Sequence, residues 1–311
     1  MSITDPREAF AKALEEIGDN NDKVLAVSCD SASGSGYSPF ISKYPDRYVE
    51  VGISEQTGVD ISVGLAVNGF IPVISAIAPF LSMRAYEQVR NDVGYSNTNV
   101  KLIGSSSGLS HSPAGSSHQA NEDMALMRTV PNMVVINPGD CYEIAMSLKK
   151  AVEYEGPVYI RMPRHPLEDI LPIEERDFEI GKAEEICDGK SGITVIASGT
   201  VSNEAKRAVE ELNKEGISCG MINVHTVQPL DQEMILKHAS KTKLMFTVEE
   251  HSIIGGLGDA VAATITQLEG APRLVKLGIL PGAVNTGPYR ELLAAYGLTH
   301  EKIKESIKKE M

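Results

Sequence analysis

The most informative stretch of this sequence surrounds Glu55. It follows the run Tyr48-Val-Glu-Val-Gly52, which reads as a strand, and opens Glu55-Gln-Thr-Gly-Val-Asp-Ile-Ser-Val-Gly-Leu-Ala66, which reads as a helix. Ligands of open parallel sheets gather at the carboxyl ends of the strands, and Glu55 sits just past one of them. The same placement has a structural reading, because a Glu in a first helical turn is stabilised by the helix dipole. Spacing alone leaves both open. Gly58 and Gly64, on the same helix, would permit another backbone to pack closely. A second constellation, Glu249-Glu250-His251 ahead of Gly255-Gly256, falls at a strand-to-helix turn. That geometry can suit an anion, although a tight turn and interface packing is the preferred reading. The four cysteines, Cys29, Cys141, Cys187 and Cys219, are scattered and form no C-x-x-C. They imply neither a zinc ribbon nor a disulfide framework, and a reduced, cytoplasmic protein is expected.

The elements that must position Glu55 follow an alternating pattern. Short apolar, β-rich runs occur at 24–29, 48–52, 71–77, 100–104, 133–137 and 158–162, with helical segments near 6–17, 55–68, 80–95, 121–130 and 140–154. Strand and helix alternating at this spacing predict βα units and a mostly parallel sheet. Pro163, Pro166, Pro172 and the acidic run Glu174-Glu-Arg-Asp177 then read as an exposed linker. A second series places strands at 193–197, 221–224, 244–248 and 274–277, and helices at 203–214, 231–239, 257–268, 288–296 and 299–310. The expected fold class is therefore α/β, with two doubly wound domains at 1–165 and 185–311 joined by a linker at 166–184.

Composition excludes several classes of function. The chain has 311 residues, 42% of them apolar, enough for sizeable cores. Lys and Arg total 29 against 42 Asp and Glu, a net charge of −13, which argues against nucleic-acid and polybasic membrane-surface binding. Trp is absent and aromatics are 5%, so base-stacking platforms are not expected. Ile71 to Leu81, the longest apolar stretch, is interrupted by Ser75 and Pro79 and falls short of the ~20 residues a bilayer requires. The N-terminus shows no basic region followed by an apolar core, so no secretory signal is expected.

An ordered set of blocks resembles a known family. Val51-Gly-Ile-Ser-Glu-Gln56, Pro79-Phe-Leu-Ser-Met-Arg-Ala-Tyr-Glu-Gln88 and Ser117-His-Gln-Ala-Asn-Glu-Asp123 look like the pyrimidine-binding domain of the transketolase and 1-deoxyxylulose-phosphate synthase family. Thr247-Val-Glu-Glu-His-Ser-Ile-Ile-Gly-Gly256 is similar to that family's C-terminal domain. The resemblance spans roughly residues 20–300. It implies that Glu55 bonds the N1′ atom of the aminopyrimidine of thiamine diphosphate and shares a proton with it, in a site of low polarity that raises a carboxyl pKa. It implies that Phe80 covers the aminopyrimidine face, with Ile77 and Met83 beside it and Asp30 near the thiazolium. It gives His118 proton movements on substrate oxygens. It gives Arg164, with Arg161 in the same strand end, the phosphate of a sugar phosphate, or an interdomain salt bridge as the alternative. His111 matches no family position.

The departures from the pattern matter as much. An aspartate expected near His118 is Ala114, and a histidine expected at a phosphate-binding position is Ser106. The loop after Asp30, Ser31-Ala-Ser-Gly-Ser-Gly36, lacks the usual basic residue. Losing designed polar contacts changes substrate choice strongly, so an ordinary pentose phosphate is not the expected substrate. No Gly-Asp-Gly motif for the cofactor diphosphate and Mg²⁺ occurs. The chain is thus expected to be the C-terminal subunit of a split transketolase. Its partner subunit would carry the diphosphate site and the Mg²⁺ ligands, in an α2β2 assembly acting on sugars or sugar phosphates. The alternatives are the β subunit of a 2-oxo-acid dehydrogenase E1 component and a catalytically silent partner-binding subunit. Retention of Glu55 speaks against the second.

Overall fold

A computed structural model describes residues 4–282 and 285–311. Twelve strands are present among the described residues. They are β1 (Val24–Ser28), β2 (Tyr48–Glu50), β3 (Ile71–Ile77), β4 (Lys101–Ser105), β5 (Val134–Ile136), β6 (Val158–Met162), β7 (Glu184–Cys187), β8 (Ile193–Ser198), β9 (Gly220–Asn223), β10 (Thr226–Gln228), β11 (Leu244–Ser252) and β12 (Arg273–Ile279). The first sheet has the order β10-β5-β6-β4-β3-β1-β2 and is parallel except for β10. The second has the order β12-β11-β8-β9-β7 and is parallel except for β7. This is the α/β class expected, with two mostly parallel sheets.

Parallel strands covered on both faces must be apolar on both. Accordingly β1, β4, β6 and β8 are buried at every position. Neighbouring residues enter opposite cores: Ile103 packs with Phe10, Leu14 and Ala26, whereas Leu102 packs with Val27, Ile74 and Leu81. Helix starts follow capping chemistry. Asp5 accepts the Arg7 amide ahead of helix Pro6–Asn20, and Asp140 accepts the Glu143 amide ahead of helix Cys141–Glu153.

Besides β7 and the helix Ser38–Lys43, which the sequence expectation lacks, three features differ from it. The single helix expected at 80–95 is instead two π-helical stretches, Phe80–Arg84 and Val89–Tyr95, around a short α-turn, Tyr86–Gln88. The Ala85 amide reaches the Phe80 carbonyl and the Thr98 amide reaches that of Val93, each five residues back. Such wide turns re-aim side chains and recur at functional sites. Second, the segment expected as an exposed linker is partly buried, with Leu167 and Phe178 in the first core and Ile170 also buried. Within its acidic run, Arg176 turns inward to pair with Asp140, Glu143 and Glu184. A buried guanidinium needs carboxylates around it, and these come from both sides of the segment. Third, β10 leaves the second series and pairs antiparallel with β5, and the Asn137 amide bonds the His225 carbonyl. The second half of the chain thus supplies an edge strand to the first sheet.

Candidate active site

The carboxyl edge of the first sheet gathers the residues singled out above. After β2, Gly52 takes a left-handed φ of +70°, and Glu55 opens helix Glu55–Val67. Its side chain is 3% exposed and its Oε2 lies 2.7 Å from the Arg84 Nη1. The Arg84 guanidinium sits over the Phe80 ring, 4.3 Å from its centroid. The edge of that ring system meets His118 at a centroid distance of 5.1 Å and 72°. His118 in turn lies 5.3 Å from His111, whose Nδ1 is 3.0 Å from Arg164 Nη1. A continuous arc therefore runs from the buried carboxylate to an exposed arginine, through residues that follow β2, β3, β4 and β6. This is the convergence that the ends of parallel strands provide.

Electrostatics separates the two ends of the arc. Burial lowers the His111 pKa, and the Arg164 and His118 charges lower it further. His111 is thus held neutral, with Nδ1 accepting an N–H from Arg164. Beneath Glu55, burial pushes the Cys29 thiol up to about 12, helped by the Glu55 and Glu50 charges. That cysteine is an inert wall. A Cβ at Gly58 would meet Cys29 Sγ at 2.9 Å and the Ile74 Cδ1 at 3.0 Å. Side chains, rather than another backbone, explain the glycine there. Gly64 has nothing within 4 Å of such a Cβ, so the close packing expected at that position is absent within this chain.

The remaining expected residues divide. Ile77, at the end of β3, is half-buried, and Met83 is 36% exposed on the π-helical turn of Phe80. Asp30 is exposed in the left-handed region, its amide donating to Glu50. Ser106 is buried just past β4, also with positive φ. Arg161 is a correction. It is 2% exposed and spends its donors on Asp123, Asn137 and the Ala120 and Glu250 carbonyls. β6 is buried on both faces, and of these partners the Glu250 carbonyl belongs to the second half of the chain, the interdomain side of the alternative named above. Arg84 was missed, although it stands four residues after Phe80 in the block quoted above.

The turn at Gly255-Gly256 is already filled. The amides of Leu257 and Gly258 donate to Glu249 at 2.7 and 2.8 Å, and the Gly255 amide donates to Asp259. Burial raises the Glu249 carboxyl to about 7. The protein's own carboxylates occupy this helix start, in keeping with the structural reading preferred for it. One group among the described residues could suit a metal, Glu204, His300 and Glu301, but Glu204 already faces Arg290 and the His300 ring.

Comparison with known proteins agrees with this architecture. The family model described as "Transketolase, pyrimidine binding domain" matches residues 4–169, and "Transketolase, C-terminal domain" matches residues 181–303. The chain belongs to the transketolase family. It is 39% identical over 306 residues to a Methanocaldococcus jannaschii protein named "Putative transketolase C-terminal section", covering 98% of this chain and 96% of that one. A 6-deoxy-6-sulfo-D-fructose transketolase subunit from a Clostridium species is 34% identical over 297 residues, covering 96% and 91%. A solved structure described as "Split gene transketolase, inactive beta4 tetramer" superimposes with a TM-score of 0.88 at 36% identity, covering 99% and 98%. The chain is thus similar over its whole length to subunits of split transketolases, and its family implies dependence on thiamine diphosphate.

Proposed function

We propose that this chain is the pyrimidine-binding subunit of a split, thiamine-diphosphate-dependent transketolase that moves a two-carbon ketol unit from a ketose or ketose phosphate to an aldose. The observation that carries the reading is the pairing of buried Glu55 with a planar cation stacked on Phe80. Arg84 there offers a flat, delocalised group whose face meets an aromatic ring and whose N–H meets the carboxylate. An aminopyrimidine with a protonated ring nitrogen would need the same two partners, so the residues present fit that half of the cofactor. Phe80, Ile77 and Met83 would flank it, with Asp30 toward the thiazolium. When bound, thiamine diphosphate supplies the carbon nucleophile.

The chain's own residues would supply orientation and proton handling. Glu55 would hold a proton between its Oε2 and the pyrimidine edge, once Arg84 has swung outward along its half-exposed stem. His118, at the rim of the Phe80 ring, would pass protons to and from substrate oxygens. Arg164 would present its free N–H groups to a substrate oxyanion while His111 holds one of them. Arg161 and Ser106, both buried, are left out of substrate binding in this proposal. The diphosphate and Mg²⁺ would be held by a partner subunit in an α2β2 assembly. The absent Gly-Asp-Gly motif supports this, as does the description of a β-only relative as inactive. Four unpaired thiols are in keeping with a cytoplasmic setting.

The test is co-purification with a candidate diphosphate-domain subunit, followed by a donor–acceptor screen with thiamine diphosphate and Mg²⁺. Ketol transfer by the complex, and none by either chain alone, is expected. Turnover of sugars by this chain alone, or 2-oxo-acid decarboxylation without ketol transfer, would overturn the proposal.

A further inference from the structure

We infer that Glu250, in the C-terminal half of the chain, is a positioning residue for the histidine loop of the active site. The inference rests on the transketolase reading above. Glu250 lies on β11 and is 2% exposed. Three groups from three parts of the chain donate to its carboxylate. The Leu109 amide donates to Oε1 at 2.5 Å, the Tyr289 hydroxyl to Oε2 at 2.5 Å, and the Thr200 hydroxyl also to Oε2. Leu109 belongs to the excursion after β4 that carries His111 and His118. That excursion closes on itself beside the carboxylate, where the Ala120 amide donates to the Gly108 carbonyl at 2.9 Å.

Gly108 shows how close this approach is. Its φ is +60°, and a Cβ there would stand 2.2 Å from Glu250 Oε1. The loop backbone therefore abuts the carboxylate with no room for a side chain between them. The same carboxylate reaches the other wall of the cleft. Tyr289, which donates to it, stacks on His165 at 4.2 Å, and His165 follows Arg164 directly. The Ser107 amide bonds the Met162 carbonyl, tying the two walls together. Further contacts along the loop have the same sense: Ser112 donates to the Gly287 carbonyl and Gln119 to that of Asn285.

A buried carboxylate that collects several donors fixes their mutual geometry, because each donor loses a charge-assisted bond if it drifts. Glu55, Arg84 and Phe80 make no contact with Glu250, so removing it would disturb one end of the arc and spare the other. Misplacing a catalytic group by about 1 Å can cost on the order of 100-fold in rate.

The test uses the full chain and the reconstituted complex. In the full chain, Glu250→Ala should raise amide hydrogen exchange across 108–120 and leave helix Glu55–Val67 unchanged. In the complex it should lower kcat for ketol transfer by roughly 10- to 100-fold. Hydrogen–deuterium exchange at C2 of bound thiamine diphosphate, the step assigned to Glu55, should stay within about twofold. Glu250→Gln keeps an acceptor for Leu109 and should restore most of kcat. If Glu250→Ala does not fold, Gly108→Ala carries the same expectations, because it forces loop and carboxylate apart. Unchanged loop exchange, unchanged kcat, or loss of C2 exchange in proportion to kcat would each overturn the inference. A parent complex that shows no ketol transfer would instead refute the transketolase reading, and the loop-exchange measurement would still decide the positioning role of Glu250.

Discussion

Replacing Asp123 by Ala tests the energetics of a buried ion pair whose arginine, Arg161, also bonds the Glu250 carbonyl of the second half of the chain. Asp123 Oδ2 accepts from Arg161 Nε at 2.9 Å and from the Tyr159 hydroxyl at 2.7 Å, and all three side chains are buried. Removing one partner of a buried ion pair typically costs about 3–5 kcal/mol, because the other charge is left uncompensated. Arg161 would keep the Asn137 side-chain oxygen and two carbonyls, at 2.9–3.3 Å, which places the loss near the lower end, about 3 kcal/mol. With an unfolding entropy of about 2 cal/mol/K per residue, a chain of this length should lose about 5 °C in Tm, read by scanning calorimetry. Removing both charges, as Asp123→Ala with Arg161→Met, should cost less than the two single changes added together. A Tm within 1 °C of the parent for Asp123→Ala, or strict additivity in the double variant, would refute the reasoning.

Two further outcomes follow from the packing. Burial holds His251 neutral, with its pKa down to about 4, while its Nδ1 faces the Ser252 carbonyl and its Nε2 accepts the Ala125 amide. Between about 4 and the unfolded value near 6.5 the unfolded state binds more protons, so this contribution to stability is full above pH 6.5 and lost as pH falls through 4. Relative to His251→Gln, the parent should lose about 3 kcal/mol between pH 7 and pH 4 in urea unfolding; parallel pH profiles would contradict this. At Gly104, a Cβ would lie 2.2 Å from the Tyr159 hydroxyl oxygen. Gly104→Ala should therefore push Tyr159 off Asp123 and cost about 1–3 kcal/mol in thermal unfolding, and a neutral effect would show that the tyrosine has slack.

The first sheet was legible because β1, β3, β4 and β6 are short, mostly apolar runs set between helical segments, as buried parallel strands tend to be. β10 was not, since three residues, Thr226–Gln228, are too few to show alternation, and only the partner β5 makes them a strand. The π-helical turns after β3 have no local signature, as the sequence there is equally compatible with an α-helix. At the candidate site, Glu55, Phe80, His118 and Arg164 are singled out by family-like segments of the sequence, and the structure brings them into one arc. Arg161 and Arg164 look alike in sequence, three positions apart at one strand end; only burial separates the guanidinium bonded to Asp123 and the Glu250 carbonyl from the exposed one beside His111. Arg176 was hidden for the same reason, inside a run of acidic residues that reads as solvated. Arg84 at the site, and the positioning role inferred for Glu250, emerged only from distances, because the partners of each, Glu55 and Leu109, lie far away in the chain.

The proposed function requires Glu55 to be the group that would handle the aminopyrimidine proton. The direct measurement is the rate of C2 hydrogen–deuterium exchange of thiamine diphosphate, followed by NMR after acid quench, in the complex with the diphosphate-binding subunit. Glu55→Gln keeps the volume and removes the shared proton, so the exchange rate should fall by about 10²- to 10⁴-fold while the complex still assembles. Exchange within twofold of the parent, in a complex that assembles normally, would contradict the account.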